Sequence, residues 1–202
     1  AVLLVVAIEY PVGMFEAVWA RYLLDRGASD LFVGLSVATF GVPFIVLATR
    51  GGALADRLGP ARASAGASLV VAPVIASYGF AHRPGVIAAL AAVEACLQAV
   101  AIPAARAAIV VASPPDRVIA GQAVAGAAGL FATATAALVA PVVYDASGPR
   151  VMCGSVAAVV VVSVLMSLAV TRGSQSTHGP ATRRPYGDGQ WRGAGTTKHG
   201  RS

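Results

Sequence analysis

The chain has 202 residues, of which 57% are hydrophobic and only 12% are charged. A soluble domain carries about 25% charged residues, and so few charges cannot cover the surface of a water-soluble fold. The formal net charge of +6 would suit a nucleic-acid partner, but six basic residues and one acid fall within 172–202. Residues 1–171 hold nine arginines and eight acids, without a nucleic-acid recognition motif, so we predict no such partner.

Six apolar blocks follow one another along the chain, and each is long enough to cross the roughly 30 Å hydrocarbon core of a bilayer as a helix. Four blocks contain no charged residue, and the first and fourth contain only acids. They predict an all-α membrane protein. A soluble helical core is the alternative, but its helices would carry a polar face that these blocks mostly lack. The six predicted spans are about 1–21, 31–49, 62–81, 84–108, 117–144 and 150–171.

Short connectors rich in charge and helix breakers separate the blocks, so we expect neighbouring helices to run antiparallel in one bundle of residues 1–171. After Thr171 the composition changes to Gly, Ser, Thr, Pro and Arg, which predicts a disordered basic tail over 172–202. The distribution of Lys and Arg places this tail on the cytoplasmic side.

The origin of the chain can be inferred from its composition and its start. Fourteen arginines against one lysine suggest a GC-rich bacterial gene, and hence a multi-pass protein of the bacterial inner membrane. The chain opens inside an apolar run without an initiator Met, so we expect a fragment that lacks upstream sequence.

The most specific motif lies between the second and third blocks, within the connector over 50–62. It contains Gly52, Leu54, Asp56, Arg57 and Gly59 at the spacing G-x-L-x-D-R-x-G. This pattern resembles the signature loop of the major facilitator superfamily, G-x-L-x-D-R-x-G-[RK]-[RK]. The two final basic positions of the motif are occupied by Pro60 and Ala61, and Arg62 follows. A generic charged turn of a membrane protein is the alternative interpretation.

This resemblance implies one half of a major-facilitator fold, in which two three-helix repeats of inverted orientation form six transmembrane helices. It also implies that the motif loop is a conformational latch between the halves. A second Asp-x-x-Gly-Pro segment at 145–149 matches 56–60 and lies where an inverted repeat would place an equivalent turn. The fourth block lacks the arginine typical of the N-terminal half, so we assign the chain to the C-terminal half. The predicted latch residues are Gly52, Asp56, Arg57, Gly59 and Arg62.

Ionisable residues inside an apolar span are costly and are therefore candidates for function. Glu9 and Glu16 lie seven residues apart and share one face of the first helix, with Tyr10 and Trp19 nearby. The matching helix of the family lines the central cavity, so the resemblance implies that these residues recognise a cation or couple protons. Alternatively, Glu9 or Glu16 lies near an interface or pairs with Arg21.

Glu94 lies near the middle of the fourth span, and Gln98 follows one turn later on the same face. Desolvation disfavours a charged carboxylate there, so we expect Glu94 to load and release a proton as the cavity alternates between the two sides. A structural hydrogen bond to a neighbouring helix is the alternative. Arg106 and Arg117 are expected only to reach the cytoplasmic surface.

Together these features predict a secondary transporter that works by alternating access, specifically an antiporter for proton-coupled efflux of a small solute. The predicted partners are membrane lipid, H⁺, the solute and a missing N-terminal half or a second copy, and no cofactor or metal is expected. A truncated or inactive membrane scaffold is one alternative. A six-helix intramembrane enzyme is another, but no His lies within a predicted span and H-E-x-x-H is absent.

Overall fold

The computed structural model describes residues 1–177, without the side chains of 48–50 and 172–177. Within that range, five α-helices and one turn of 3-10 helix at Pro115–Arg117 form the structure. The all-α prediction is confirmed, and residues 178–202 of the predicted tail lie outside the described residues. The helices are α1 (Val2–Leu24), α2 (Asp30–Leu58), α3 (Pro60–Tyr78), α4 (Pro84–Ala112) and α5 (Val118–Thr177).

Helix α5 consists of two helices joined at one residue. Gly148 has φ 79° and ψ 176° and separates a first arm, 118–147, from a second arm, 149–177. A positive φ of this kind is readily adopted only by glycine. Pro149 then begins the second arm, where its fixed φ suits a first helical turn. The predicted connector is thereby reduced to a single residue, and the described chain contains six long helical segments.

The segment that carries the signature motif is helical, so the prediction of a loop over 50–62 is wrong. Helix α2 continues through this segment to Leu58, and Gly51 within it packs closely against the backbone of α4 at Ala99. Gly59, with φ 84°, makes the turn, and Pro60 starts α3. The helix axes of Gly51–Leu58 and Pro60–Tyr78 differ in direction by 116°.

Three connections meet at one end of the bundle: the turn between α1 and α2, the turn between α3 and α4, and the break in α5. Arg26 Nε in the first turn donates a hydrogen bond to the carbonyl oxygen of Ala81 in the second, at 2.9 Å. Tyr144 Oη, just before the break, donates to Asp25 Oδ2 at 2.7 Å. Successive helical segments therefore run antiparallel, as the short connectors predict.

Helix α1 contacts all the other helices, most extensively α5. Gly13 allows these two helices to touch, because a methyl group at this position would overlap the carbonyl oxygen of Thr133. Thr133 Oγ1 also donates a hydrogen bond to the carbonyl oxygen of Glu9 at 3.1 Å. Small residues at helix contacts are typical of membrane proteins, in which close backbone approach takes over from the hydrophobic effect.

Large apolar side chains cover much of the outside of the bundle. Leu31, Ile45 and Ile119 are 82%, 84% and 87% exposed, respectively. An apolar surface of this extent suits contact with lipid or with another protein better than contact with water. The exterior therefore agrees with a membrane protein rather than with a soluble helical core.

Helix length and composition limit how many times the described residues can cross a membrane. Four helical stretches could do so, or five if the bent pair Gly51–Leu58 and Pro60–Tyr78 forms one span. One of the four, Pro115–Thr171, would be about 85 Å long as a straight helix, nearly three hydrocarbon cores. The break at Gly148 divides this stretch between the two arms of α5, so it is not one straight helix.

Replacing Gly13 by alanine should lower the melting temperature of the protein in detergent, because α1 and the first arm of α5 must then move apart. Overpacking of this kind costs about 1–3 kcal/mol, which corresponds to several degrees. Gly34→Ala is the matched control, since a methyl group there meets no atom within 4 Å and alanine favours helix. Equal melting temperatures for the two variants would contradict the close contact.

Candidate functional site

The most deeply buried acid of the described residues is Glu94, in the middle of α4, with a residue exposure of 0%. Tyr78 Oη donates a hydrogen bond to Glu94 Oε2 at 2.7 Å. Gln98 Nε2, one turn further along α4, donates to Glu94 Oε1 at 3.2 Å. Each carboxyl oxygen thus has one donor, which offsets part of the cost of removing the group from water.

The sequence did not point to Tyr78. The alternative role of Glu94, a structural hydrogen bond to a neighbouring helix, requires a partner on that helix, and Tyr78 is this partner. It is the last residue of α3, where backbone carbonyl groups lack partners within the helix. Tyr22 of α1 donates a hydrogen bond to the carbonyl oxygen of Tyr78. A chain of two hydrogen bonds therefore links α1, α3 and α4 around the Glu94 carboxyl.

An open cleft of about 480 Å³ lies between α1, α2 and α4. Three residues predicted from sequence line it: Glu16, Trp19 and Gln98. Except for Ser36, the other lining residues are apolar or aromatic. Gln98 contacts both this cleft and the Glu94 carboxyl, so one side chain connects the buried acid to the cleft.

Some of the polar groups at the wall of the cleft already form hydrogen bonds within the protein. Trp19 Nε1 donates a hydrogen bond to Ser36 Oγ at 3.0 Å, and Ser36 Oγ donates to the carbonyl oxygen of Val33 at 2.7 Å. Gln98 Oε1 is buried and finds no hydrogen-bond partner among the described residues. The aromatic ring of Trp19 packs edge-on against Tyr78, with ring centres 5.8 Å apart, which joins the cleft wall to the Glu94 network.

Glu9 makes different contacts from Glu16, although the two share a helix. Glu9 Oε1 forms an ion pair with Arg106 Nη2 of α4 at 3.0 Å. The alternative partner, Arg21, instead pairs with Asp145 at 2.6 Å. Glu9 is not among the residues that line the cleft, so the structure separates it from the rest of the predicted site.

Two neighbours of Glu9 are Arg106, its ion-pair partner, and Tyr10, the next residue in the chain. From sequence, Arg106 was expected only to reach the cytoplasmic surface, whereas in the structure it also contacts Glu9. In addition, Gln122 Nε2 of α5 donates a hydrogen bond to the carbonyl oxygen of Arg106 at 3.0 Å. Tyr10 is half-buried against the main core and does not line the cleft.

Among residues 1–177, no group of three His, Cys, Asp or Glu residues could hold a metal ion.

The signature segment presents its charged side chains outward. Asp56, Arg57 and Arg62 are exposed, and none of them forms an ion pair with a described side chain. Their charges are therefore available to groups outside this bundle.

Close packing in the same segment comes from a glycine that the motif does not include. A methyl group at Gly51 would lie 2.8 Å from the carbonyl oxygen of Ala99 on α4, whereas one at Gly52 would meet nothing within 4 Å. Gly51, rather than Gly52, lets α2 approach its neighbour.

Comparison with known proteins decides the family. A family model described as Major Facilitator Superfamily matches residues 3–198. The chain belongs to this superfamily. Searches among curated proteins and among solved structures return no match.

Membership in the superfamily makes this protein a multi-pass membrane transporter, with a small molecule as its substrate. The alternative of an intramembrane enzyme is set aside, because this is a family of transporters. The match covers all the described helices, so the resemblance drawn from the signature motif extends well beyond that segment.

Replacing Tyr78 by phenylalanine should destabilise the transporter, because Glu94 loses a buried hydrogen-bond donor. Leaving such a group unsatisfied costs about 1–3 kcal/mol. Tyr144→Phe is the matched control, since its partner Asp25 is exposed and water can replace the lost donor. Thermal unfolding in detergent measures both variants. If Tyr78→Phe is as stable as Tyr144→Phe, Tyr78 does not have this role.

Glu9→Gln and Arg106→Gln should each destabilise the protein, and the double variant should lose less than the sum, because each single change leaves an unpaired charge. We expect a coupling free energy of about 0.5–3 kcal/mol from a double-mutant cycle on thermal unfolding. The control cycle uses Arg21 and Asp145, whose side chains are both 55% exposed and should couple less. The reverse order of the two couplings would refute a stabilising role for the Glu9–Arg106 pair.

Proposed function

We propose that the protein exports a small, apolar solute in exchange for protons, by alternating access of a central cavity to the two sides of the membrane. The described helices form one half of the transporter, the C-terminal half. This half rocks against a second six-helix half or against a second copy of the chain. The cell membrane of a bacterium is the proposed location, with the 172–202 tail in the cytoplasm.

The observation that carries the proposal is the contact between a buried acid and an open cleft. Glu94 is fully buried, yet Gln98, which donates to it at 3.2 Å, lines the cleft. A proton that reaches Glu94 can therefore change the hydrogen bonding of a side chain at the solute site. Coupling between proton binding and solute binding requires such a connection, because the binding of each must alter the binding free energy of the other.

The surroundings of Glu94 support two protonation states. Desolvation favours the neutral acid, whereas the hydrogen bonds from Tyr78 and Gln98 favour the carboxylate. These opposing contributions bring the free energies of the two forms closer together. A carboxyl group in this balance can take up a proton when the cleft faces one side of the membrane and release it when the cleft faces the other.

The solute class follows from the lining of the cleft. Glu16 places an exposed carboxylate at a wall that is otherwise mostly apolar, next to the aromatic rings of Phe15, Trp19 and Phe40. Carboxylates attract cations, and aromatic faces add cation–π attraction. We therefore propose an apolar solute with a positive charge. Glu9, which is paired with Arg106, is proposed to stabilise the bundle rather than to bind the solute.

The signature segment is proposed as the latch between the two halves. The exposed side chains of Asp56, Arg57 and Arg62 project from a helix end and a turn at Gly59, so they can form ion pairs with a facing half. Such pairs would stabilise one orientation of the two halves and would break in the other. At Gly52, an added methyl group would meet no atom of the described residues outside its own helix turn within 4 Å, which leaves room for that partner.

The inverted repeat is supported by two similar breaks. Gly59 has φ 84° and Gly148 has φ 79°, and each is followed by a proline that starts a helix. Gly59 follows the second helical segment and Gly148 the fifth. The same turn at equivalent places in two sets of three helices is the pattern of a 3+3 repeat.

Glu94→Gln in the full-length protein should abolish proton-driven transport but leave exchange of solute for solute. The glutamine keeps the size of the side chain and cannot ionise. Proteoliposomes with an acidic lumen and external ethidium as the probe measure proton-driven uptake, and preloaded ethidium measures exchange. Asp30→Asn, which changes an exposed acid in the first turn of α2, is the control and should retain both activities.

Two results would count against this function. Proton-driven ethidium uptake by Glu94→Gln at the rate of the unmodified protein would remove Glu94 from the coupling. Absence of both activities in the unmodified protein would favour the inactive scaffold instead.

A further inference from the structure

The amide of Gln98 donates an N–H from Nε2 to Glu94, and its carbonyl oxygen has no hydrogen-bond partner among the described residues. We infer that Gln98 transmits the protonation state of Glu94 to the cleft, offering the solute a carbonyl oxygen when Glu94 is ionised and an N–H group when Glu94 is protonated. The inference rests on the proposed function, since it specifies the hydrogen-bonding class of the solute at that same site. The solute that binds to the ionised form is one that donates a hydrogen bond from N–H or O–H.

Except for the second N–H of Gln98 Nε2, the donors of the polar side chains that line the cleft are engaged within the bundle. The N–H of Trp19 is used by Ser36, and the hydroxyl proton of Ser36 is used by the carbonyl oxygen of Val33. Gln98 Oε1 is buried without a partner among the described residues, and Glu16 adds an exposed carboxylate. The unused hydrogen-bonding capacity of these side chains therefore consists of the Glu16 carboxylate, the Gln98 carbonyl oxygen and one N–H of Gln98, so acceptors predominate.

The orientation of the Gln98 amide is set by Glu94. Gln98 Nε2 donates to Glu94 Oε1, and Tyr78 Oη donates to Glu94 Oε2, so both carboxyl oxygens act as acceptors. This arrangement satisfies an ionised carboxylate, which can only accept. It leaves Gln98 Oε1, with an exposure of only 3% for the whole residue, as the atom without a partner. A buried acceptor without a donor is costly, so a donor from the solute gains that free energy.

Protonation reverses this orientation. While Tyr78 still donates to Oε2, a proton arriving from water in the cleft binds Oε1 of Glu94 and makes it a hydroxyl donor that faces the N–H₂ group of Gln98. Two donors facing each other are unfavourable, and a half-turn about the last torsion of Gln98 replaces that contact with O–H···O=C. The Gln98 N–H₂ group then becomes the group available to the solute, and a solute that donates loses its acceptor.

Among the described residues, Glu94 accepts hydrogen bonds from Tyr78 and Gln98 and forms no ion pair. The guanidinium of Arg26 packs on the ring of Tyr22, with its central carbon 3.7 Å from the ring centre. The titratable groups packed around the network are Tyr78 on α3, Tyr22 on α1 and Cys153 on the second arm of α5, which line one small void. Glu16 on α1 faces the same cleft as Gln98, and the residues that α2 contributes to the lining are uncharged. Glu16 therefore provides general attraction for a cation, and Gln98 provides the response to protonation.

The experiment compares two probes of equal charge. One is the 2-naphthylmethylammonium ion, which has three N–H donors, and the other is its N,N,N-trimethyl analogue, which has none. Binding of each to the full-length protein in detergent is measured by calorimetry at mildly alkaline and at acidic pH. The measured quantity is the ratio of the two dissociation constants, which cancels the shared contributions of charge and ring.

At alkaline pH the preference for the ammonium probe over the trimethyl probe should be about tenfold larger than at acidic pH, because one hydrogen bond to a charged donor is gained. Gln98→Met should lack this pH-dependent preference. Glu94→Gln should also lack it, since its own amide can donate to Gln98 Oε1 at both pH values. The two variants change different residues of the same hydrogen bond, so if one of them does not fold, the other still tests the role of Gln98.

Two outcomes would overturn the inference: a preference that does not change with pH in the unmodified protein, or a pH-dependent preference retained in both variants. The ethidium assay on the same preparation separates these failures from failure of the proposed function. Proton-driven ethidium uptake that depends on Glu94, without the change in preference, would refute the role of Gln98 alone. The change in preference without proton-driven uptake would refute proton-coupled export and leave the role of Gln98 standing.

Discussion

The hydrogen bond between Tyr78 and Glu94 is the interaction on which the arrangement of this bundle depends. A carboxyl group in the middle of an apolar helix is tolerable only with donors nearby, and Tyr78 brings its donor from the end of α3. That position fixes where α3 crosses α4. Since Tyr22 in turn binds the carbonyl oxygen of Tyr78, the same contact also sets α1, and the cleft between α1, α2 and α4 follows from it.

The sequence indicated which residues carry the site more readily than which residues hold them in place. Glu94 and Gln98 could be paired beforehand, because a spacing of four residues on a helix brings side chains together. Tyr78 and Arg106 could not be assigned, because their contacts depend on how separate helices cross. Arg106 and Glu9 are 97 residues apart in the chain, and no local pattern connects them.

The helical state of the signature segment was also beyond local reasoning. Two adjacent glycines and a run of charges suggest a loop, yet α2 continues through them to Leu58. The close approach of Gly51 to the backbone of α4 at Ala99 explains why: packing against a neighbouring helix offsets the low helix propensity of glycine. The turn itself was predictable, because Gly59 followed by Pro60 has a strong local preference for ending one helix and starting the next.

The one-residue breaks at Gly59 and Gly148 restrict how the bundle can move. Sliding a helix by one turn displaces it by about 5.4 Å, whereas a single extended residue spans at most about 3.6 Å. Neither α3 relative to α2 nor the second arm of α5 relative to the first can therefore shift lengthwise like a piston. Each pair can only pivot at its glycine, so any movement of one helix relative to the other in these pairs is a change of angle and not a lengthwise shift.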